Sequence, residues 1–376
     1  MTNLVEFPGL GLELTINRVA FTIGDMPIYW YGVIIAAGLL LAVVFGMHYA
    51  PDFGIDKDRF MDVILIGGVL AIVCARAYYV IFAPFKYESL WDMINLRDGG
   101  LAIYGAVIGA AVFGGLACRW RRLPLLRVFD VVGMGFLIGQ GMGRWGNFFN
   151  QEAFGTNTTL PWGMYSAATQ SYLERTQAEL AAQGVMVDPT LPVHPTFLYE
   201  SIWCFVGLAL LWRHMKKRRF DGELALWYAA WYGAGRFWIE GLRTDSLMTP
   251  FFGLRVSQVV ALVSVVVSLI LLVLGRRRFA GREYRIPLAV DLTKQAAWAR
   301  AWKAHTGEEW VPAEADSLPA SASHAEFVEA TKQMNDRFDL SRIEAAVKEW
   351  QAAQAPAEAP APEEPEGEEN DGGTDH

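Results

Sequence analysis

The sequence predicts an all-α polytopic membrane protein: about seven transmembrane helices, an external head segment, and a cytoplasmic, partly disordered C-terminal tail. Three observations predict it. Apolar runs of roughly 18 to 24 residues recur between Pro27 and Leu274, the length that crosses about 30 Å of hydrocarbon as helix. Basic residues gather in alternate connections between those runs. Polar and acidic sequence gathers beyond Arg285, so the formal net charge of -8 describes the tail and says little about the apolar body.

In chain order the runs are Ile28 to Ala50, Phe60 to Ala83, Gly100 to Cys118, Leu125 to Gly141, Thr196 to Trp212, Leu224 to Glu240 and Leu254 to Leu274. Backbone groups in lipid must bond within their own segment, which makes helix the expected state of each. The first run is long, lacks a basic segment before it and is followed by further spans, so it reads as a span and not as a cleavable signal. Arg119, Arg121, Arg122 and Arg127 lie in one connection and Arg213, Lys216, Lys217, Arg218 and Arg219 in another, while Arg276, Arg277 and Arg278 follow the last run. Alternating spans put all three groups on one side. By the positive-inside rule that side is cytoplasmic, with the N-terminus outside and the C-terminus inside.

The segment from Asn147 to Val193 falls on the opposite side. It is polar and broken by Gly155, Pro161, Gly163 and Gly184, so an ordered external head is expected there, with a short helix around Ser171 to Gln183. The expected division is therefore a membrane domain over 1–285 with the head at 147–193, an extension over 286–354, and an acidic tail over 355–376. Alternating charged and apolar positions from Glu326 to Gln351 suggest one or two amphipathic helices. The Pro-, Ala- and Glu-rich remainder is expected to stay disordered.

Cys74, Cys118 and Cys204 all lie in apolar runs, which argues against a disulfide framework. No metal-ligand spacing, Walker loop or serine nucleophile elbow is present, so no cofactor or metal is expected, nor a nucleic-acid partner. Ionisable residues in or at the ends of membrane helices are costly and need a reason. Arg76, Arg144, Glu152, Glu200, Arg236, Glu240 and Arg243 all map to the outer ends of their runs, where arginine opposes the positive-inside trend. Guanidinium groups at the outer boundary suit a phospholipid phosphate, which they grip with a bidentate fork.

The richest stretch runs from Gly143 to Gly155 and holds Arg144, Asn147, Asn150 and Glu152. Its glycines allow close backbone approach, and its polar side chains supply hydrogen bonds where a helix meets the membrane surface. Tyr232, Arg236, Glu240 and Arg243 are spaced to share one helical face. His194 precedes Pro195 at the start of the fifth run, in an interfacial or chemical role. On composition alone, Tyr31 and Tyr104 belong to an aromatic belt.

Together these motifs resemble the prolipoprotein diacylglyceryl transferase family over about residues 20 to 280. The stretch from Gly143 to Gly155 is similar to that family's signature, and it occurs with CARAYYVIF from Cys74, HPTFLYES from His194, GRFWIEGLRTDSL from Gly235 and RVSQ from Arg255. The resemblance implies a bacterial plasma-membrane enzyme acting on phosphatidylglycerol and on the lipobox-bearing signal peptides of prolipoproteins. It implies that Arg144 and Asn147 bind phosphatidylglycerol, with Arg236, Glu240 and Arg243 as a second phosphate-handling group. Tyr31, Tyr232, Glu152 and Gly155 then shape the pocket, and Arg76 adds a lipid contact. Many members carry histidine where this chain has Tyr104. A phenol of pKa about 10 is a poor base at neutral pH, so either Tyr104 only positions substrate or the proton leaves by another route, with His194, Glu152 and Glu240 as candidates for taking it.

Two other readings compete. A transporter or channel for an anionic solute predicts inverted repeats and broken helices near the midplane, whereas the charges here crowd one surface. Another phospholipid headgroup transferase predicts paired aspartates around a divalent metal at the cytoplasmic side, where only the isolated Asp130 and Asp221 are found.

Overall fold

The computed structural model describes residues 2–83, 85, 87, 89–95, 99–182, 184–244, 255–310 and 317–355. The described residues are mostly helical, at 69%. Seven long helices occupy the seven expected runs: α1 (Trp30–Tyr49), α2 (Lys57–Ile81), α4 (Ile103–Arg121), α5 (Leu125–Asn150), α7 (Thr196–His214), α8 (Glu223–Leu242) and α9 (Val256–Arg278). Short α3 (Leu90–Ile94) lies between α2 and α4, and α6 (Ala167–Ala182) stands where the head helix was expected. Five of the long helices, α1, α2, α4, α5 and α9, are long and apolar enough to cross a membrane. The other two, α7 and α8, carry Glu200, Arg236 and Glu240.

Strand depresses the all-α expectation at the N-terminus. Residues before the first helix alternate apolar and polar side chains, a period of two that fits a half-buried strand. Strand β1 (Thr2–Phe7) pairs with β2 (Leu12–Asn17) and, across the head, with β5 (Tyr165–Ser166). A second hairpin, β3 (Val19–Ile23) with β4 (Met26–Tyr29), leads directly into α1. The N-terminal segment and the head thus share one small core of Val5, Phe7, Phe148, Phe154, Met164, Leu173, Val193 and Phe197.

Helix α5 departs most from the reading, continuing nine residues beyond Gly141 through Arg144 and Asn147 to Asn150. Glycine lowers helix propensity, but Gly141 and Gly146 are buried where neighbouring side chains press on the helix, and packing overrides propensity. The site arginine therefore projects from a rigid helix.

Opposite the head, a second core gathers Phe53, Phe60, Val131, Met134, Leu137, Leu211 and Leu224. The basic connections meet at this end. Arg121 pairs with Asp62 at 2.8 Å, Arg127 with Asp221 at 2.9 Å, and Arg276 with the fully buried Glu223 at 2.6 Å. Asp130 accepts backbone N–H bonds from Gly222 and Ala225, both 2.8 Å, at the start of α8. These basic residues hold helix ends together as well as setting a charge bias. Helices α7 and α8 are locked by Trp203 and Trp231, whose rings stack at 4.4 Å while each indole N–H donates to the other's carbonyl at 2.9 Å.

Two compact units divide the chain, Met1–Val290 with Ala313–Met334, and Asp291–Pro312 with Asn335–His376. Within the first, β6 (Arg285–Pro287) pairs with β7 (Ser317–Pro319), and His324 at the start of α11 (His324–Arg337) meets Asp52 at 2.6 Å. The second holds α10 (Leu292–Thr306) and α12 (Ile343–Gln354), joined by a Trp302–Trp350 ring contact. Helices α11 and α12 fall on the stretch read as amphipathic. Residues 356–376 of the expected disordered tail lie outside the described residues.

Candidate active site

Three guanidinium groups, one from α5, one from α8 and one from the extended residue that follows α8, converge on a carboxylate of α7. Glu200, on the first turns of α7, is 4% exposed. Its Oε2 lies 2.6 Å from Nε of Arg144 on α5, and its Oε1 lies 3.0 Å from Nη1 of Arg236 and 3.8 Å from Nη1 of Arg243. Arg236 also reaches Glu240, one turn on along α8, at 2.6 Å. Among the described residues, three guanidinium groups meet two carboxylates in this cluster. A buried carboxylate so placed holds the guanidinium planes at fixed angles.

The end of α5 completes the frame. Gln151 and Ala153 adopt left-handed backbone, φ 55° and 59°, unusual for residues with a Cβ and found where surrounding structure enforces it. The sharp turn brings Glu152 back over its own helix, where it accepts from Nδ2 of Asn147 at 3.0 Å and of Asn150 at 3.2 Å. Asn147 then directs its Oδ1 to Nη1 of Arg144 at 3.4 Å. Thr196 donates its hydroxyl to the Ala153 carbonyl and fixes the turn to α7. Gly155 bridges to Arg243 and donates its N–H to the His194 carbonyl at 2.9 Å. A Cβ on Gly155 would stand 2.7 Å from that of His194, so only glycine fits between the head and α8. Tyr31 packs its ring edge on Gly146, where a Cβ would come within 2.7 Å. Tyr232 stands within electrostatic reach of Arg144, Glu200 and Arg236.

The fold thus brings together Arg144, Asn147, Glu152, Gly155, Arg236, Glu240 and Arg243, with Tyr31 and Tyr232 beside them. His194 is adjacent through its backbone, while its ring turns to Tyr199, Nδ1 to hydroxyl 3.2 Å, and burial lowers its pKa. Two of the expected residues stand elsewhere. Arg76, on α2, gives its guanidinium to the carbonyls of Asp92, Met93, Gly99 and Gly100 at 2.6 to 3.0 Å, tying down the connection that leads to α4. Tyr104, at the start of α4, is 66% exposed and neighbours Tyr78 rather than the arginines. Glu200 is the residue that sequence reasoning undervalued. Its signal was present in its place within the HPTFLYES motif and in the excess of arginine at the same level, which demands a counter-charge.

Fold and site together define a multi-pass membrane protein with a cationic centre at one end of its bundle. Residues 18–274 match the family model described as prolipoprotein diacylglyceryl transferase. The chain is 41% identical over 269 residues to the phosphatidylglycerol–prolipoprotein diacylglyceryl transferase of Bacillus cereus (strain G9842), covering 71% of this chain and 95% of the relative. The enzymes of the same name from Bacillus mycoides (strain KBAB4) and Bacillus cytotoxicus (strain DSM 22905 / CIP 110041 / 391-98 / NVH 391-98) are 41% and 39% identical, again over 71% of this chain and 95% of each relative. The chain belongs to the prolipoprotein diacylglyceryl transferase family and is a transferase.

Proposed function

We propose that this enzyme transfers the diacylglyceryl group of phosphatidylglycerol to the lipobox cysteine of prolipoproteins. Convergence of Arg144, Arg236 and Arg243 on Glu200 is the observation that carries the reading. The cysteine thiolate attacks the glycerol carbon that bears the phosphate. A carbon–sulfur bond forms, the carbon–oxygen bond breaks, and its electron pair leaves with glycerol phosphate. Ionising a thiol of pKa about 8.5 at pH 7 costs roughly 2 kcal/mol, within reach of the field of nearby arginines. Stabilising the departing phosphate monoester is the larger demand. Preorganised guanidinium groups in a water-poor site meet it best.

In this reading Arg144 and Asn147 hold the phosphate, and Arg236 and Arg243 neutralise the charge that builds on it. Glu200 and Glu240 orient the guanidiniums, while Tyr31, Tyr232, Glu152 and Gly155 shape the wall. All seven long helices span the bacterial plasma membrane, α7 and α8 tolerating their charges because those charges pair inside the bundle. The N-terminus and head face outward, and the end bearing Arg121, Arg127 and Arg276 faces the cytoplasm.

Purified protein in phosphatidylglycerol nanodiscs is expected to add a diacylglyceryl mass to the cysteine of a lipobox peptide, read by mass spectrometry; no addition would end the reading. Tyr104→Phe is expected to retain most of that turnover, since its hydroxyl stands outside the arginine cluster. With His194 as the base, the neutral imidazole is the active form. Burial lowers its pKa, so that form persists to lower pH, and the acid-side fall of kcat/KM should come below about pH 6.5 and disappear in His194→Gln. An unchanged pH profile in that variant would pass the role to Glu152 or Glu240.

A further inference from the structure

Below the arginines lies a polar pair for which the transfer outlined above has no use. Gln140 precedes Arg144 by one turn of α5, which places it about 6 Å deeper along the axis at 1.5 Å per residue. Its Nε2 lies 2.9 Å from the hydroxyl of Tyr228 on α8. Its Oε1 is buried and has no hydrogen-bond partner among the described residues. Tyr228 stacks on Tyr232, centroids 5.9 Å apart and planes at 13°, and Tyr232 leads back to Arg144 and Arg236. Polar groups therefore run inward from the cationic centre between two otherwise apolar helix faces. The line opens sideways: Phe136, 50% exposed, packs 6.0 Å from the Tyr228 ring, and Gln140 and Tyr228 are themselves only partly buried.

Whichever way the amide is turned, this pair keeps a donor in hand. With Nε2 donating to Tyr228, the phenolic proton has no acceptor among the described residues. With the amide reversed, the phenol donates to Oε1 and both amide protons are left over. At membrane depth no water takes such a proton, and the group calls for an acceptor. Diacyl phospholipids bring one to that level, because their ester carbonyls lie a few ångströms inward of the phosphate and carry no donor of their own.

The geometry points to Tyr228, held in place by Gln140, as the group that donates to an acyl ester carbonyl of the lipid while the arginines hold its phosphate. Two grips at different depths fix the glycerol carbon between them in line with the incoming sulfur, and make the site read the ester linkage as well as the charge. Tyr228 touches the lipid; Gln140 is a positioning residue that acts through it. This inference rests on the diacylglyceryl transfer proposed above.

The test compares dipalmitoyl phosphatidylglycerol with its dihexadecyl ether analogue as substrates in mixed micelles, reading kcat/KM for transfer to a lipobox peptide. The native enzyme is expected to favour the ester lipid by about five- to tenfold, the worth of one hydrogen bond. In Tyr228→Phe the ester-to-ether ratio should fall to about one, and in Gln140→Leu it should narrow in the same direction. A purely structural bond between α5 and α8 would lower both substrates together and leave the ratio at its native value, which overturns the inference. So does a native enzyme that uses the two lipids equally. Should Tyr228→Phe fail to fold, the ratio in Gln140→Leu decides. Absence of transfer from either lipid by the native enzyme instead overturns the transfer reaction itself.

Discussion

Glu200→Gln is expected to lower kcat for diacylglyceryl transfer by about 10²- to 10³-fold while leaving KM for the anionic lipid unchanged or lower. The split follows from charge. Removing the carboxylate's charge strengthens the pull on an anion in the ground state, so binding does not suffer. What is lost is the fixed angle of three guanidinium groups, two of which meet Glu200 at 2.6 and 3.0 Å. Geometry of that kind counts chiefly when charge develops on the leaving phosphate. Breaking a buried ion pair from one side also destabilises, here by about 3 kcal/mol, because the arginines keep some access to water. Glu200→Asp is a stricter version. Its shorter side chain keeps the charge but cannot span Arg144 and Arg236 together, and it should also fall far below native turnover. Steady-state kinetics in defined micelles, with thermal unfolding alongside, separates the two effects; a native kcat in Glu200→Gln would remove the carboxylate from the mechanism.

Arg144→Ala is expected to cost at least about 10³-fold in kcat/KM, the usual scale for losing one preorganised donor to a developing anion together with its binding role. Arg144→Lys should recover about tenfold of that at most. The native side chain meets Glu200 through Nε and Asn147 through Nη1. An ammonium has one centre and cannot make both of these contacts while also gripping a phosphate with a fork. Single-turnover transfer to a labelled lipobox peptide, with lipid binding measured separately, distinguishes loss of chemistry from loss of substrate. Turnover near the native level in Arg144→Ala would place the phosphate elsewhere.

Much of the site was legible because its signals are local. Arg144, Asn147 and Glu152 fall in one glycine-rich stretch, and Arg236 and Glu240 recur at helical spacing on one face of α8, whereas Arg243, expected on that face, follows the helix in extended backbone. Arg76 and Tyr104 show the limit of the same logic. Both map to the outer ends of their runs, yet height along a span says nothing about direction around it. Arg76 turns to four carbonyls of its own connection, and Tyr104 turns to Tyr78. The N-terminal strands were missed for a related reason: a short alternating segment has too little burial of its own, and β1 is stabilised by β5, more than 150 residues away.

By itself the sequence determined that this protein is a helical membrane body with cationic groups at one end, because lipid forces long apolar runs into helix and makes every buried charge conspicuous. Only the tertiary structure decided which charges meet. Glu200 lies on α7, Arg144 on α5 and Arg236 on α8, and their convergence depends on helix rotation set by contacts such as the Trp203–Trp231 pair. Periodicity reports a residue's place on its own helix, whereas the partner it faces is fixed by packing between helices distant in the chain.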